Sequence, residues 1–454
     1  MDKSHSAEIQ QLILNSAAEG NILPITSCCD SHCIFCSHKN NPPEIDVISI
    51  GVRTMEEITQ TMNYLDPRQT ITIGESASSI IEGEPFTHPN FCEILITLRS
   101  RFTMTPIEIT TNGHHLTSDM VDFIGGLGNI ALSISINSAS VEGRRLLMGD
   151  TEKQAEQTIA GIKLLADRGI LYNSSIVAMP NVTSWDDMRN TIRFLSDNKA
   201  AVIRVYMPAF SSKAQYDIFP DGNTIYVQLR EFILSLSTEL SCPVLLEPSY
   251  VTDLTPVISG VIKNSPAWLA GLRRGDVVHS VNGKKPSCRV EAWNMLTPRG
   301  QMWIVALKDR QEQEFSWQNP YDGGSGITME YDFDMGRAEH IRQLVLCQSR
   351  KTLLLASEFG HGVVQAVLEQ LNLPDDRVEV LMVKNCTFGG TIKASGLLTV
   401  DDYYTAYGEW QTSKLERPSQ IFVPMESFNY LGFDLKHKHY TQLAGLTGIM
   451  VKPV

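Results

Sequence analysis

Between residues 20 and 250 the chain alternates short β-prone apolar runs with helical patterns, and few folds satisfy that alternation. The runs are Ile22–Thr26, Thr70–Gly74, Ile107–Thr110, Ile130–Ile136, Leu171–Ala178, Ala201–Met207 and Pro243–Leu246. Strands separated by a helix-length crossover pair in parallel, because a tight hairpin cannot connect them. Several helix starts are explicit. Thr54-x-x-Glu57 and Thr151-x-x-Gln154 are capping boxes, in which a hydroxyl and a returning side chain satisfy orphan amides. Residues 7–19 have apolar positions at helical spacing and stop at Gly20. Six or seven βα units built this way make either a barrel or a doubly wound sheet. They fall short of an eight-fold barrel.

The pattern changes near Tyr250. Residues 252–318 have short apolar runs broken by Gly, Pro and Asn, with one helix expected around Val290–Leu296, which predicts a small β-rich domain. Residues 319–330 (NPYDGGSGITME) are Gly-rich and are expected to be a linker. A second α/β region starts near 334, with a helix over 334–347, a strand at Thr352–Ala356, a helix after Gly362 and a strand at Val378–Val383. The expected domains are therefore 1–250, 252–318 and 331–454.

Charge narrows the partners. The 454 residues include 38 basic and 51 acidic side chains, a net charge of −13, which argues against nucleic acid as a general partner. No stretch approaches the ~20 apolar residues that cross a bilayer, and the N-terminus has no signal-peptide core. The expectation is a cytoplasmic protein without a membrane partner. In a reducing compartment nine cysteines are thiols or ligands before they are disulfides. Three are clustered as Cys29-x3-Cys33-x2-Cys36, with Phe35 beside the last. Three thiolates in one loop can meet three irons of a 4Fe–4S cube and leave the fourth open to a small molecule. Zinc with His32 or His38 as a fourth ligand, or a chance grouping, are the alternatives.

This spacing after a first strand resembles the radical S-adenosylmethionine (SAM) superfamily, and further residues follow in the family's order over roughly 20–250. Gly83-Glu84-Pro85 resembles its Gly-Gly-Glu-Pro motif, with Glu82 in place of the first Gly and Glu75 as a rival acid. Thr111-Asn112-Gly113 ends the third run, and Ser133-x-Ser135-x-Asn137 marks the fourth. The resemblance implies a partial (βα)6-7 barrel, with a 4Fe–4S cluster and SAM as cofactors. It implies that Cys29, Cys33 and Cys36 ligate the cluster, that Gly83 and Glu84 meet the SAM amine, and that Ser135 and Asn137 face its ribose or carboxylate. Phe35 joins the cofactor pocket. The implied chemistry is reductive cleavage of SAM to a 5′-deoxyadenosyl radical, which abstracts hydrogen from a substrate, with an electron donor such as ferredoxin or flavodoxin. Arg144 and Arg145 are expected on solvated helix faces.

Ser265-Pro266-Ala267, Ala270-Gly271-Leu272 and Gly275-Asp276-Val277-Val278 resemble a PDZ domain. That resemblance implies strand addition of an extended peptide and favours a peptide or protein substrate. The carboxylate-binding loop would lie near Leu254–Val257, where Pro256 lacks an amide. Lys384–Ile392 (KNCTFGGTI) resembles the uncharacterised C-terminal domain that accompanies PDZ domains in one group of radical SAM proteins. Cys386 is expected to be a small buried residue, with a radical-quenching thiol or a ligand as the alternatives. Other readings are an enzyme of a small metabolite with a structural PDZ domain, and a non-catalytic iron–sulfur scaffold. The residue that performs catalysis is not named by the sequence.

Overall fold

The computed structural model describes residues 3–75, 80–214, 221–236, 239–321, 323–374, 376–414 and 416–454. The chain divides into two compact units, Met1–Pro208 and Ala209–Val454.

The first unit contains α1 (Lys3–Gly20), α2 (Ser37–Asn40), α3 (Met55–Thr61), β1 (Ile71–Ile73), α4 (Phe91–Arg101), β2 (Ile107–Thr111), α5 (Ser118–Leu127), β3 (Ile130–Ser135), α6 (Val141–Met148), α7 (Glu152–Arg168), β4 (Tyr172–Val177), α8 (Pro180–Thr183), α9 (Trp185–Asp197) and β5 (Ile203–Tyr206). Its strands pair in parallel and in chain order, as the alternation requires. Both capping boxes form, on α3 and α7. The expected first strand, Ile22–Thr26, is reduced to single bridges from Ile22 to Thr72 and from Thr26 to Val52. Pro24 sits in its middle and has no amide to continue a ladder.

The two faces of this sheet differ. Ile71, Ile73, Ile109, Leu132, Ile134, Ile203 and Val205 are fully buried on one face. On the other, Thr72, Glu108, Thr110, Ser133, Ser135, Asn173 and Ser175 are only partly covered. With side chains alternating at period two, each strand supplies one residue to the core and the next to a polar surface. That polar surface is where the unit can hold a ligand.

The second unit begins with α10 (Gly222–Leu236) and β6 (Val244–Glu247). A β-rich part follows, with β7 (Gly260–Val261), α11 (Pro266–Ala270), β8 (Val277–Val281), α12 (Arg289–Leu296), β9 (Gly300–Lys308), β10 (Gln311–Asn319) and β11 (Ile327–Thr328). The order β10-β9-β8 is antiparallel, and β11 pairs antiparallel with β7. Ile258, Leu272, Val278, Ala292, Leu296, Ile304 and Ile327 share its core. The expected linker 319–330 thus carries a strand of this part. Two residues are too few to show a period, and the glycines before them mask the strand.

The chain closes with α13 (Met335–Leu346), β12 (Thr352–Ser357), α14 (His361–Gln370), β13 (Val378–Val383), α15 (Val400–Thr412), β14 (Gln420–Val423), α16 (Thr441–Thr447) and β15 (Met450–Pro453). Its strands are parallel in the order β13-β12-β14-β15. Leu354 and Ala356 pack with Ile341 and Val345 of α13, while Leu353 and Leu355 pack with α15 and α16 through Tyr403, Tyr407 and Leu443. Both faces of β12 are covered, so it reads as a continuous apolar run. Cys386 follows β13 and is exposed, against expectation. Its amide and that of Thr387 donate to buried Asp402 (2.9 Å each), which fixes the backbone and turns the side chain outward. Among the described residues no helix is long and apolar enough to cross a membrane.

Candidate functional site

The cysteine loop leaves Thr26 at the rim of the sheet and runs to α2, and its backbone is held at several points. Gly83 N–H donates to Thr26 O (2.8 Å), Glu84 N–H to Cys28 O (2.7 Å), His32 N–H to Met148 O (2.7 Å) and Ile34 N–H to Leu147 O (2.9 Å). Gly83 lies so close to Cys28 that a Cβ on it would meet the Cys28 carbonyl oxygen at 2.0 Å. Only glycine permits that approach. The Gly83–Glu84 segment and the cysteine loop are therefore one packed object.

Cys29 is exposed, while Cys33, Cys36 and Phe35 are half-buried. Burial pushes the Cys33 thiol up to about 12, and the charges of Cys36 and Cys29 add to the shift. Burial also raises Cys29. Three thiols near enough to repel one another as thiolates are a donor set that fits a cationic iron cluster. Among the described residues no group of three or more His, Cys, Asp or Glu closes around a single metal ion. A cube asks for a different arrangement, because each thiolate ends on its own iron.

Glu84 is buried behind this loop. Its carboxylate accepts from Thr111 Oγ1 (2.7 Å), Asn112 N (2.7 Å) and, more weakly, Phe86 N (3.3 Å). Burial raises its pKa to about 7 in spite of these bonds. The amides of Gly83 and Glu84 are already spent on Thr26 and Cys28. Oxygens are therefore what this segment can offer an ammonium group. Glu75 is exposed just beyond β1. Glu82 is different again. Its Oε1 is enclosed with no hydrogen-bond partner among the described residues, and burial holds its carboxyl well above the usual range.

Ser133 and Ser135 lie on the polar face of β3. Ser135 Oγ is 3.1 Å from Ser175 Oγ on β4. Thr110 Oγ1, on the same face of β2, is enclosed and unpartnered among the described residues. An enclosed hydroxyl without a partner beside a polar surface fits a polar ligand such as SAM. Asn137 lies past the end of β3 in the left-handed region (φ 59°) and is buried. Its Oδ1 accepts from Val177 N (2.8 Å), so it ties β3 to β4. The site therefore gathers Cys29, Cys33, Cys36, Gly83 and Glu84 tightly, with Ser135 and Asn137 at the neighbouring strand end.

Sequence reasoning missed a buried chain of charges under the loop. Arg144, expected in solvent, is fully buried. Its Nε donates to Asp150 Oδ2 (2.6 Å), and its Nη1 and Nη2 donate to Ile136 O (2.7 Å) and Asn112 O (3.1 Å). His114 Nε2 lies 3.0 Å from Asp150 Oδ1, and its Nδ1 lies 3.1 Å from Asp30 Oδ2. Asp30, adjacent to Cys29, also meets His115 Nε2 (3.0 Å) and Asn112 Nδ2 (2.7 Å). Burial lowers the His114 pKa, but the two carboxylates outweigh it and raise it to about 9. A charged imidazole that donates at both nitrogens suits this position. Arg145, one residue away, is exposed and pairs with Glu142, as a solvated helix face should. No local signal separates the two arginines. Only the fold brings Asp150 beneath Arg144.

In the β-rich part, the amides near Leu254–Val257 are used internally. Thr255 N–H donates to Asp253 Oδ1 and Val257 N–H to Thr255 O, both at 2.7 Å, and Val257 bridges to Val277. That segment is a paired edge and not an open carboxylate loop.

Residues 23–195 match the model of the radical SAM superfamily, and residues 257–290 match a PDZ domain. GTP 3′,8-cyclase of Cronobacter sakazakii (strain ATCC BAA-894) is 25% identical over 174 residues, which are 38% of this chain and 50% of that protein. The chain thus spans about half the length of this curated relative. Among solved structures, Streptococcus suis SuiB bound to S-adenosylmethionine is 16% identical with a TM-score of 0.38, over 50% of this chain and 49% of that one. The anSMEcpe protein with bound AdoMet is 14% identical with a TM-score of 0.39, over 53% and 71%. The family uses a 4Fe–4S cluster and SAM, and its members are enzymes. With the cysteine loop, the Gly83–Glu84 segment and the parallel sheet in that order, residues 23–195 of this chain are a radical SAM domain, and a PDZ domain match follows at 257–290.

Proposed function

We propose that the chain reductively cleaves SAM at a 4Fe–4S cluster and abstracts hydrogen from a peptide or protein substrate. Cys29, Cys33 and Cys36 hold the cluster, and Phe35 flanks it. When bound, the cofactors supply the electron transfer and the 5′-deoxyadenosyl radical that acts on the substrate. Gly83 and Glu84 receive the SAM ammonium through oxygens, and the charge of the ammonium favours an ionised Glu84. Ser135 and Asn137 face the ribose or carboxylate. The observation that supports this reading is the close packing of Gly83 on Cys28, which seats the acidic segment against the start of the cysteine loop. The PDZ match supports a peptide substrate, since PDZ domains bind extended chains by strand addition. A division into 1–250, a β-rich domain from 252 that takes in Ile327–Thr328, and 331–454, with a cytoplasmic location and a ferredoxin- or flavodoxin-type electron donor, completes the proposal.

Anaerobic reconstitution should load about four irons per chain, and Cys29→Ala, Cys33→Ala or Cys36→Ala should prevent it. With dithionite the loaded protein should release 5′-deoxyadenosine from SAM. Glu84→Ala should weaken SAM binding more than Glu75→Ala does. Tight zinc binding without iron would overturn the cluster assignment, and equal SAM binding by Glu84→Ala and wild type would move the amine contact to Glu75. A peptide-array screen on the full chain tests the substrate class: free C-terminal peptides should bind weakly, because the Leu254–Val257 segment is already paired, and strong sequence-selective capture would favour a peptide or protein substrate.

A further inference from the structure

The four-stranded sheet of the second unit runs β13-β12-β14-β15, so the chain moves outward from β12 in both directions. The connection after β12 turns toward β13 through α14, and the connection after β14 turns the other way toward β15 through α16. Neighbouring loops that diverge leave a crevice at the carboxyl ends of the two central strands, and open α/β sheets bind ligands there. A cavity of about 310 Å³ sits at this place. Ala356 and Ser357 line it from the end of β12, and Pro424 and Glu426 from beyond β14. Val363 and Val367 of α14 form one wall. The cleft is partly open to solvent, and its largely apolar lining lacks packing partners until it is filled.

The charges around the cavity are largely spoken for. Arg337 binds Glu426 (2.5 Å) and the Val454 carbonyl, with its guanidinium 5.5 Å from the Phe333 ring centre. Asp332 accepts from the amides of Arg289, Val290 and Phe333. Glu247 is also engaged. A charged ligand would have to break these pairs, whereas a neutral one need not. Phe359, another lining residue, stacks on Tyr250 at 4.8 Å and 21°, which makes a flat aromatic wall. Ser357 Oγ accepts from Gly360 N (3.0 Å), and a hydroxyl that accepts still has its own hydrogen to donate.

We infer that this cavity is a binding site for a small, planar, neutral and mostly apolar molecule that presents one acceptor to Ser357. The site is separate from the cysteine loop and does not depend on the cluster assignment.

Quinoline, a planar neutral molecule whose ring nitrogen is its one acceptor, is the probe and tests this on the methyl-labelled full chain. Saturable shifts are expected on the methyl groups of Leu354, Val363, Val364 and Val367, with a rise in melting temperature. Val363→Trp and Leu368→Trp fill the space and should abolish the saturable shifts. The inference is overturned if wild-type shifts fail to saturate or spread over other methyls. It is equally overturned if a folded Val363→Trp or Leu368→Trp variant binds quinoline as wild type does. If neither variant folds, the wild-type methyl map decides the matter alone.

Discussion

Replacing His114 by Gln removes a buried cation from between Asp30 and Asp150, and its effect should depend on pH in a defined way. The ring's pKa is raised from 6.5 to about 9 in the folded protein. The stability linked to the charged ring is therefore fully present below about pH 6.5 and is lost as pH rises through 9. Each pKa unit corresponds to 1.36 kcal/mol, so the raised value is worth about 3 kcal/mol at pH 6 and almost nothing at pH 10. The His114 side chain is only 2% exposed, so solvent screening takes little from this figure. Gln can donate to one carboxylate but cannot charge. Urea unfolding of cluster-free wild type and His114→Gln at pH 6 and pH 10 measures the difference. Hydrogen exchange in peptides covering 107–116 reads the first unit separately, because a chain with two compact units need not unfold in one step. The variant should be less stable by about 3 kcal/mol at pH 6, and the gap should shrink toward zero at pH 10. A gap of equal size at both pH values would refute a charged His114.

Two further substitutions test the packing. Gly83→Ala places a methyl 2.0 Å from a backbone oxygen, which cannot swing aside as a side chain could. It should cost about 1–3 kcal/mol as an overpacking change and reduce iron retention, read by denaturation and by iron content after gel filtration. Arg289→Met removes a buried guanidinium that binds Asp253 Oδ1 (2.9 Å) and lies 3.5 Å from Asp332. Breaking such a buried pair typically costs 3–5 kcal/mol, and about 3 kcal/mol is expected here because three amides still hold Asp332. Calorimetry should show the second unit melting earlier.

The features legible in the chain are those whose cause is local. Cys29, Cys33 and Cys36 lie within eight residues, so their spacing alone suggests a common ligand. The capping boxes at Thr54 and Thr151 depend on residues three apart and form as read. Strands β2 to β5 fall within the expected runs to within about two residues, because a parallel strand covered by helices must be apolar on that side. Apart from the first run, where the cause is local, the misreadings have a non-local cause. Pro24 breaks the first run into bridges, although its neighbours are β-prone. Strands β14 and β15 and the two-residue β11 went unrecognised. Each is only two to four residues long, and pairing with distant partners decides whether such a segment is a strand. Arg144 and Arg145 are adjacent and chemically identical, yet one is fully buried on Asp150 and the other meets solvent. Helix phase turns them in different directions, and what waits in each direction is set by tertiary packing. The charge chain from Arg144 to Asp30 exists because α6, the end of β2 and the cysteine loop converge, and no spacing along the chain encodes that meeting.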